Sequence, residues 1–191
     1  MNAAKIRLYF IVALKCPRLV ADALCWRGMP THQTNAEGKT RIYHRNQLHC
    51  LYGPAVVGKD GLSQWWIEGK RHRSDGPATI RVDGTKMWFN VGCVHRLDGP
   101  AIEWADGGKV WSMDGLLHRT DGPASDWPDG YQQWWVNGRL HRVDRPAIVK
   151  GNGCQEWWVN GRRHRVDGPA VIKGDGRQQW WIDGVRQVER D

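Results

Sequence analysis

The chain has 191 residues, 40% of them hydrophobic, a composition that suits a folded protein and excludes wholesale disorder. It contains 13 Trp and 23 Gly but only 2 Phe, and this skew predicts that one short unit is repeated many times. The net charge is +8, yet residues 1–45 hold eight of the 28 Lys and Arg and only two of the 20 Asp and Glu. The remainder is nearly neutral, which excludes a large overall positive field for a phosphate backbone.

The N-terminal segment, residues 1–34, is predicted to be a partly helical cap. Pro17 fits the first turn of a short helix that ends near Trp26, with Gly28 beyond it. Residues 5–14 could form a helix or a strand, because their apolar run is too short to decide. The segment is interpreted as a cover for the first hairpin or as a second docking element.

The cysteines and the apolar N-terminal run bear on localisation. Five cysteines are odd in number and share no metal-type spacing, which argues against a disulfide framework and a zinc site. The apolar run of residues 8–14 is too short to span a bilayer and lacks a cleavage motif. A reducing, cytoplasmic compartment is therefore expected, without a transmembrane segment or secretion.

A strict 23-residue period governs the rest of the chain. Six prolines, each followed by Ala, recur without an insertion: Pro54, Pro77, Pro100, Pro123, Pro146 and Pro169. Two glycine series keep the same period, one starting at Gly61 and the other at Gly69. A tryptophan series, here the Trp65 series, is equally regular: Trp65, Trp88, Trp111, Trp134, Trp157 and Trp180.

Each unit is predicted to be one β-hairpin. Asp60-Gly61 and its equivalents are typical of tight turns, because Gly adopts positive φ and the Asx side chain bonds the backbone. β-Branched and aromatic residues on either side indicate strands of about five or six residues. The predicted fold is all-β, an elongated single-layer antiparallel hairpin repeat, with six and a half repeats over residues 35–191.

The arrangement of these residues resembles the MORN repeat, especially its bacterial and viral variants. The shared pattern is Asp-Gly, an aromatic pair three residues on, then Gly-x-x-His, as in NGRRHRVDGPAVIKGDGRQQWWIDG. The likeness covers about residues 35–191, although Arg follows His where the common MORN unit has Gly. The resemblance implies a ladder of β-hairpins that acts as a scaffold, a protein-binding module or a membrane-associated module.

Alternation along the second predicted strand separates two aromatic rows. The invariant Trp65 series is assigned to packing between repeats. The next register, here the Trp66 series, varies and has polar neighbours: Trp66, Phe89, Ser112, Trp135, Trp158 and Trp181. Its aromatic members Trp66, Phe89, Trp135, Trp158 and Trp181 are the candidate partner-binding residues. The alternative is that these rings stack on one another and shield backbone.

A His-Arg-x-Asp string ends most units and is predicted to fix the connecting turn. Its members are His72, Arg73 and Asp75; His95, Arg96 and Asp98; His118, Arg119 and Asp121; His141, Arg142 and Asp144; and His164, Arg165 and Asp167. Equivalent histidines would stand about 10 Å apart, too far to share a metal ion. No catalytic constellation stands out, so no enzymatic activity, cofactor or metal is expected.

These features favour a non-catalytic scaffold or adaptor that binds a protein through the Trp66 series. Because the resemblance is to viral and bacterial repeats, an effector or inhibitor of a host protein is a variant of this hypothesis. The alternative is binding of nucleic acid or an anionic membrane through the basic N-terminus and Trp side chains. Self-association through the aromatic row is a third hypothesis.

Overall fold

The computed structural model describes residues 30–187, and every regular element in that range is a strand. The strands are β1 (Thr31–Thr34), β2 (Thr40–His44), β3 (Gln47–Leu48), β4 (Val56–Val57), β5 (Ser63–Gln64), β6 (Trp66–Ile67), β7 (Lys70–Arg71), β8 (Thr79–Ile80), β9 (Lys86–Met87), β10 (Phe89–Asn90), β11 (Cys93–Val94), β12 (Ile102–Glu103), β13 (Lys109–Val110), β14 (Ser112–Met113), β15 (Leu116–Leu117), β16 (Ser125–Asp126), β17 (Gln132–Gln133), β18 (Trp135–Val136), β19 (Arg139–Leu140), β20 (Ile148–Val149), β21 (Gln155–Glu156), β22 (Trp158–Val159), β23 (Arg162–Arg163), β24 (Val171–Ile172), β25 (Gln178–Gln179), β26 (Trp181–Ile182) and β27 (Val185–Arg186). Within this described part, no helix is long and apolar enough to cross a membrane.

Fifteen of these strands form one large sheet, an antiparallel meander. β4 pairs with β5, with Val56 opposite Gln64, and β5 then pairs with β8, with Gln64 opposite Thr79. The same two steps recur as far as β25. The prediction of an all-β chain of antiparallel hairpins is therefore confirmed.

The predicted strand length is wrong, because every strand after β2 is two residues long. The second predicted strand is interrupted at Trp65, where the direction of hydrogen bonding changes. The Trp65 N–H donates to the Ala78 carbonyl of the next repeat at 2.8 Å, whereas the Trp65 carbonyl accepts from the His72 N–H of its own repeat at 3.2 Å. Residues before Trp65 therefore join the large sheet, and residues after it fold back within their own repeat.

Each repeat contains a second hairpin, which the period alone does not reveal. β6 pairs with β7 across Glu68 and Gly69, whose φ angles of 48° and 73° both lie in the left-handed region. Two successive residues with positive φ form a type I′ turn, whose twist matches that of the strands it joins. Gly69 thus lies in a tight turn within its own repeat.

The Asp-Gly turns of the first hairpins form as predicted. Gly61 has a φ of 97°, and the Asp60 carboxylate accepts the Leu62 N–H at 3.1 Å. The same bond from the Asx side chain to the residue two positions on recurs in the five following repeats, at Asp83, Asp106, Asp129, Asn152 and Asp175.

The sheet begins earlier than the sequence predicts. β1 pairs with β2 over all four of its residues and occupies the register that residues 54–57 occupy one period later. It is therefore the first strand of a degenerate repeat that starts at Thr31, where the prediction placed a half-repeat from residue 35. The rest of the predicted helical cap falls on residues 1–29, outside the described residues.

The most completely buried residues form a row of alanines. The Ala after each repeat proline has 0% of its surface exposed: Ala55, Ala78, Ala101, Ala124, Ala147 and Ala170. Each is also tied to the preceding repeat, as where the Trp88 N–H donates to the Ala101 carbonyl at 2.8 Å. Few large side chains are buried, so contacts between adjacent repeats, and not one central core, hold the sheet together.

Candidate functional site

Register shows which side chains share a side of the sheet. Directly paired residues point the same way, so Gln64 and Thr79 share one side, and Arg81 joins them two residues beyond Thr79. Trp66 also belongs there, because its Nε1 donates to Gln64 Oε1 at 3.4 Å. Arg71 lies opposite Trp66 in the second hairpin. We call this side, defined by these five registers, the Trp66 face.

Away from the Trp66 face, arginines lie over the Trp65 series. Arg73 stands 4.1 Å from the Trp65 ring centroid, its Nε donates to Asp75 Oδ1 at 2.8 Å, and its Nη1 donates to the Pro77 carbonyl. The stack recurs for Arg96 on Trp88, Arg119 on Trp111, Arg142 on Trp134 and Arg165 on Trp157. Trp180 is half-buried, and Val188 stands at the register of its arginine.

These arginines also act on the carboxylates of the connecting turns. The hydrogen bond from each arginine is the largest cause that lowers the pKa of its carboxyl group below the ordinary value, at Asp75, Asp98, Asp121 and Asp167. The four carboxylates are exposed, so solvent screens the ion pair and it adds little stability. The bond from the arginine to the carbonyl of the following proline is better shielded.

Among the connecting turns that carry the arginine and the aspartate, one lacks this ion pair, and it has Arg145 before its proline. Other turns have glycine at its register, and a Cβ added at Gly122 would stand 2.7 Å from Arg119 Cζ. Arg145 brings such a Cβ, and the turn accommodates it through the backbone at Asp144 while the guanidinium of Arg142 stays over its ring. Arg142 keeps its ring stack and its bond to the proline carbonyl, but no ion pair joins it to Asp144, whose φ is 63°.

This geometry predicts opposite outcomes for two Gly→Ala changes at one register. Replacing Gly with Ala at a compatible site stabilises a protein by about 0.4–1 kcal/mol through the unfolded state. Gly53 has no atom within 4 Å of an added Cβ, because Cys50 stands where other repeats have arginine. Urea unfolding should show Gly53→Ala as neutral or stabilising and Gly122→Ala as destabilising by about 1 kcal/mol. Equal effects would contradict this account of the arginine position.

The histidines connect the second hairpins of successive repeats. Each Nδ1 accepts the backbone N–H of the residue 19 positions on, at 3.1–3.2 Å: His49 from Glu68, His72 from Val91, His95 from Asp114, His118 from Asn137, His141 from Asn160 and His164 from Asp183. An Nδ1 that accepts a hydrogen bond carries no proton, so this link uses the tautomer with its proton on Nε2. At His95, His141 and His164 the same Nδ1 also lies 2.9–3.0 Å from an Asp or Asn side-chain oxygen, to which it can donate in the other tautomer. Among residues 30–187, no group of three or more His, Cys, Asp or Glu is arranged to hold a metal ion.

One of these links predicts a pH dependence. Burial lowers the pKa of His49 below its ordinary 6.5, nearby His44 lowers it further, and Glu68 opposes the shift. A lowered folded-state pKa means that the stability from neutral His49 is complete above pH 6.5 and falls as the pH drops below it. The urea midpoint should therefore decrease between about pH 7.5 and about pH 5.5, and less so in His49→Gln. An equal decrease in the variant would show that His49 is not responsible.

The Trp66 series is not an open row of rings. Phe89 is 7% exposed and Ser112 4%, and the four tryptophans of the series are half-buried. The residue opposite each ring in the second hairpin helps to cover it. Arg71 stands 5.1 Å from the Trp66 ring centroid and 5.2 Å from that of Phe89. One face of each of these two rings is therefore occupied by a guanidinium group.

The same arrangement returns near the end of the series. Arg163 stands 5.1 Å from the Trp158 ring centroid and 5.2 Å from that of Trp181. Trp135 lies opposite Leu140 instead, and its Nε1 is buried without a hydrogen-bond partner. Cationic or aliphatic side chains therefore lie between the rings of the Trp66 series. The surface consists of ring edges and apolar area more than of free ring faces.

Two further tryptophans join the Trp66 face. Trp104 and Trp127 follow Arg81 at the same register, and their ring centroids are 6.0 Å apart with an interplanar angle of 29°. Arg81 stands 5.6 Å from the Trp104 centroid. The signal in the sequence is their own 23-residue spacing, although the register as a whole is not invariant.

The Trp66 face carries a strong excess of positive charge. The five registers that define it hold Arg41, Arg71, Arg81, Lys150, Arg163, Lys173 and Arg186 in the described repeats. Across those registers of residues 30–187 the one carboxylate is Glu156, which is 7% exposed and pairs with Arg163. A repeat body that is nearly neutral overall is therefore polarised across the sheet.

No protein-family model matches the chain, and a search of curated proteins finds no match.

Proposed function

We propose that the chain is a non-catalytic scaffold or adaptor that binds a protein along the Trp66 face. The observation that carries the proposal is the seven-to-one excess of cations over carboxylates on a face that also holds aromatic rings. Partially buried aromatic and Arg side chains are the residue types that most often anchor protein partners. An effector or inhibitor that occupies a host protein is a form of the same function.

The aromatic side chains of the Trp66 face do not offer free ring faces to a partner. Since Arg71 and Arg163 lie against ring faces, the tryptophans offer ring edges and apolar area, and the guanidinium groups offer charge. This mixture favours a protein over a nucleic acid, because bases bind single-stranded sites by stacking on free ring faces. The basic N-terminal residues that the nucleic-acid hypothesis requires lie mainly within residues 1–29.

We also propose that the chain is a divergent MORN-type repeat protein. Its support is the 23-residue period, the aromatic pair and the Gly-x-x-His string, together with an antiparallel meander of hairpins. The second hairpin in each repeat, closed by a type I′ turn at Gly69 and its equivalents, is the local feature by which solved repeats of that type can be compared with this chain.

Charge reversal on either side of the sheet tests the function. Arg81→Glu with Lys173→Glu changes the Trp66 face, and Lys86→Glu with Lys109→Glu changes exposed positions on the other side by the same amount. The immobilised chain is incubated with nuclease-treated lysate from its native host, and bound proteins are quantified. A partner lost only from the first variant supports the proposal. Equal retention by both variants, or recovery of nucleic acid alone from untreated lysate, overturns it.

A further inference from the structure

Two repeats place an arginine opposite a tryptophan on the Trp66 face, at Arg71 and Arg163, and their difference at the register of Gln64 indicates a ligand. In the later repeat, Arg163 Nε donates to Glu156 Oε2 at 3.1 Å and its Nη2 lies 3.0 Å from the same atom. Trp158 Nε1 donates to that oxygen as well, at 3.2 Å. The half-buried guanidinium therefore has a carboxylate counter-ion held within its own repeat.

The earlier repeat has the arginine and the tryptophan but no carboxylate. Gln64 stands at the register of Glu156, and its Oε1 accepts from Trp66 Nε1 at 3.4 Å. Arg71 Nε is buried without a hydrogen-bond partner, and no carboxylate among the described residues pairs with Arg71. The pattern that neutralises Arg163 is thus incomplete at Arg71.

A second cation increases this local excess. Arg81 lies on the same face in the next repeat and stacks on Trp104; it forms no direct ion pair within residues 30–187, although its charge helps to lower the pKa of the exposed Asp83 carboxyl group after the hydrogen bonds from Thr85. Burial lowers the pKa of Arg71 most, and the charge of Arg81 lowers it further, so the two guanidinium groups repel each other. A partly buried charge without a counter-ion costs free energy, which an incoming carboxylate offsets.

We propose that an acidic segment of the partner protein docks at Arg71 and Arg81, with a carboxylate of the partner neutralising the charge of Arg71. The inference rests on the proposed function and specifies the chemistry of the partner. Arg71 is half-buried, so the carboxylate reaches it from the solvent side. A nucleic acid fits less well, because the guanidinium already lies against Trp66 and Phe89 where bases would stack.

The direct test is fluorescence anisotropy with labelled peptides and the full chain. The probes are a short Glu-Gly-Ser peptide, its Gln-Gly-Ser counterpart and an oligothymidylate. The glutamate peptide should bind, and Arg71→Gln should weaken it about tenfold or more, as expected for one lost charge-assisted pair. The glutamine peptide should not bind measurably. Tighter binding of oligothymidylate that depends on Arg71 would overturn the proposal in favour of a nucleic acid.

A second variant supplies the missing carboxylate from within the chain. Gln64→Glu should form with Arg71 an ion pair like that of Glu156 with Arg163 and so raise the urea midpoint of unfolding. It should also lower the affinity for the glutamate peptide about tenfold or more. Gln133→Glu is the matched control, with the same change at the same register in a repeat where Leu140, and not an arginine, lies opposite the tryptophan of the second hairpin. It should alter peptide affinity less than about twofold. Equal effects of the two variants would mean that only overall charge matters and would overturn the site.

The outcome separates this inference from the proposed function. A captured partner that is lost on reversal of Arg81 and Lys173 but binds Gln64→Glu normally leaves the scaffold function intact and removes the acidic-segment site. If binding of the partner is unaffected by every change on the Trp66 face, both the proposed function and the acidic-segment site are wrong.

Discussion

Replacing Ala101 with Leu should lower the free energy of unfolding by about 3 kcal/mol, because a well-packed site cannot take three further carbons without displacing its neighbours. Ala101 has no exposed surface, and its carbonyl is fixed by the Trp88 N–H at 2.8 Å. It directly precedes β12, which is bonded on both sides, so the side chain cannot rotate into solvent by moving the strand. Urea titration followed by tryptophan fluorescence measures the change.

The control for this prediction is the same substitution at an exposed alanine. Ala105 lies in the turn between β12 and β13 with its side chain in water, so Ala105→Leu should alter the unfolding free energy by less than about 0.5 kcal/mol. A cost for Ala101→Leu below about 1 kcal/mol would mean that the alanine row is not closely packed.

Removing one stacked arginine should also be costly. Arg119→Ala deletes the contact with the Trp111 ring at 3.8 Å and the hydrogen bond to the Pro123 carbonyl at 3.2 Å, and leaves that carbonyl without this donor. A partly buried cation–π contact and a charged hydrogen bond together predict a loss of about 2 kcal/mol. The exposed ion pair with Asp121 adds little to this total.

Thermal and urea unfolding of two variants test this estimate. Arg139→Ala removes the same side chain from an exposed position of β19 and should cost less than about 0.5 kcal/mol. Arg119→Lys keeps the charge but loses the planar guanidinium group, which stacks on the ring and donates several hydrogen bonds. It should therefore recover less than half of the lost free energy of unfolding. Full recovery by lysine would show that charge alone, and not the stack, stabilises the turn.

The 23-residue period made most of the fold predictable. An unbroken series of prolines and Asp-Gly pairs predicts repeated turns, and β-branched residues between them predict strands, as at Val56 and Val171. The change of bonding partner at Trp65 was not predictable in this way, because a run of strand-forming residues does not say which neighbour it pairs with. The Asn-Gly pairs at residues 137–138 and 160–161 were the available signal for the second hairpin.

The character of the Trp66 face was harder to predict. Whether Trp66 is open or covered depends on Arg71, which is opposite it only because Glu68 and Gly69 form a type I′ turn. Without that hairpin the tryptophan resembles an exposed anchor flanked by polar residues. The charge excess was hidden for a similar reason, since a net charge summed along the chain mixes the two sides of the sheet.

The constant 19-residue span of the histidine links has a consequence for how such a chain changes length. Each of these six histidines is linked only to the adjoining unit, so excising or inserting one complete period would leave the remaining links with correct donors and acceptors. An insertion or deletion that is not a whole period would instead shift the histidine at that point out of register with its hydrogen-bond donor. A change in the number of whole repeats is thus tolerated far better than the deletion of a single residue within a repeat.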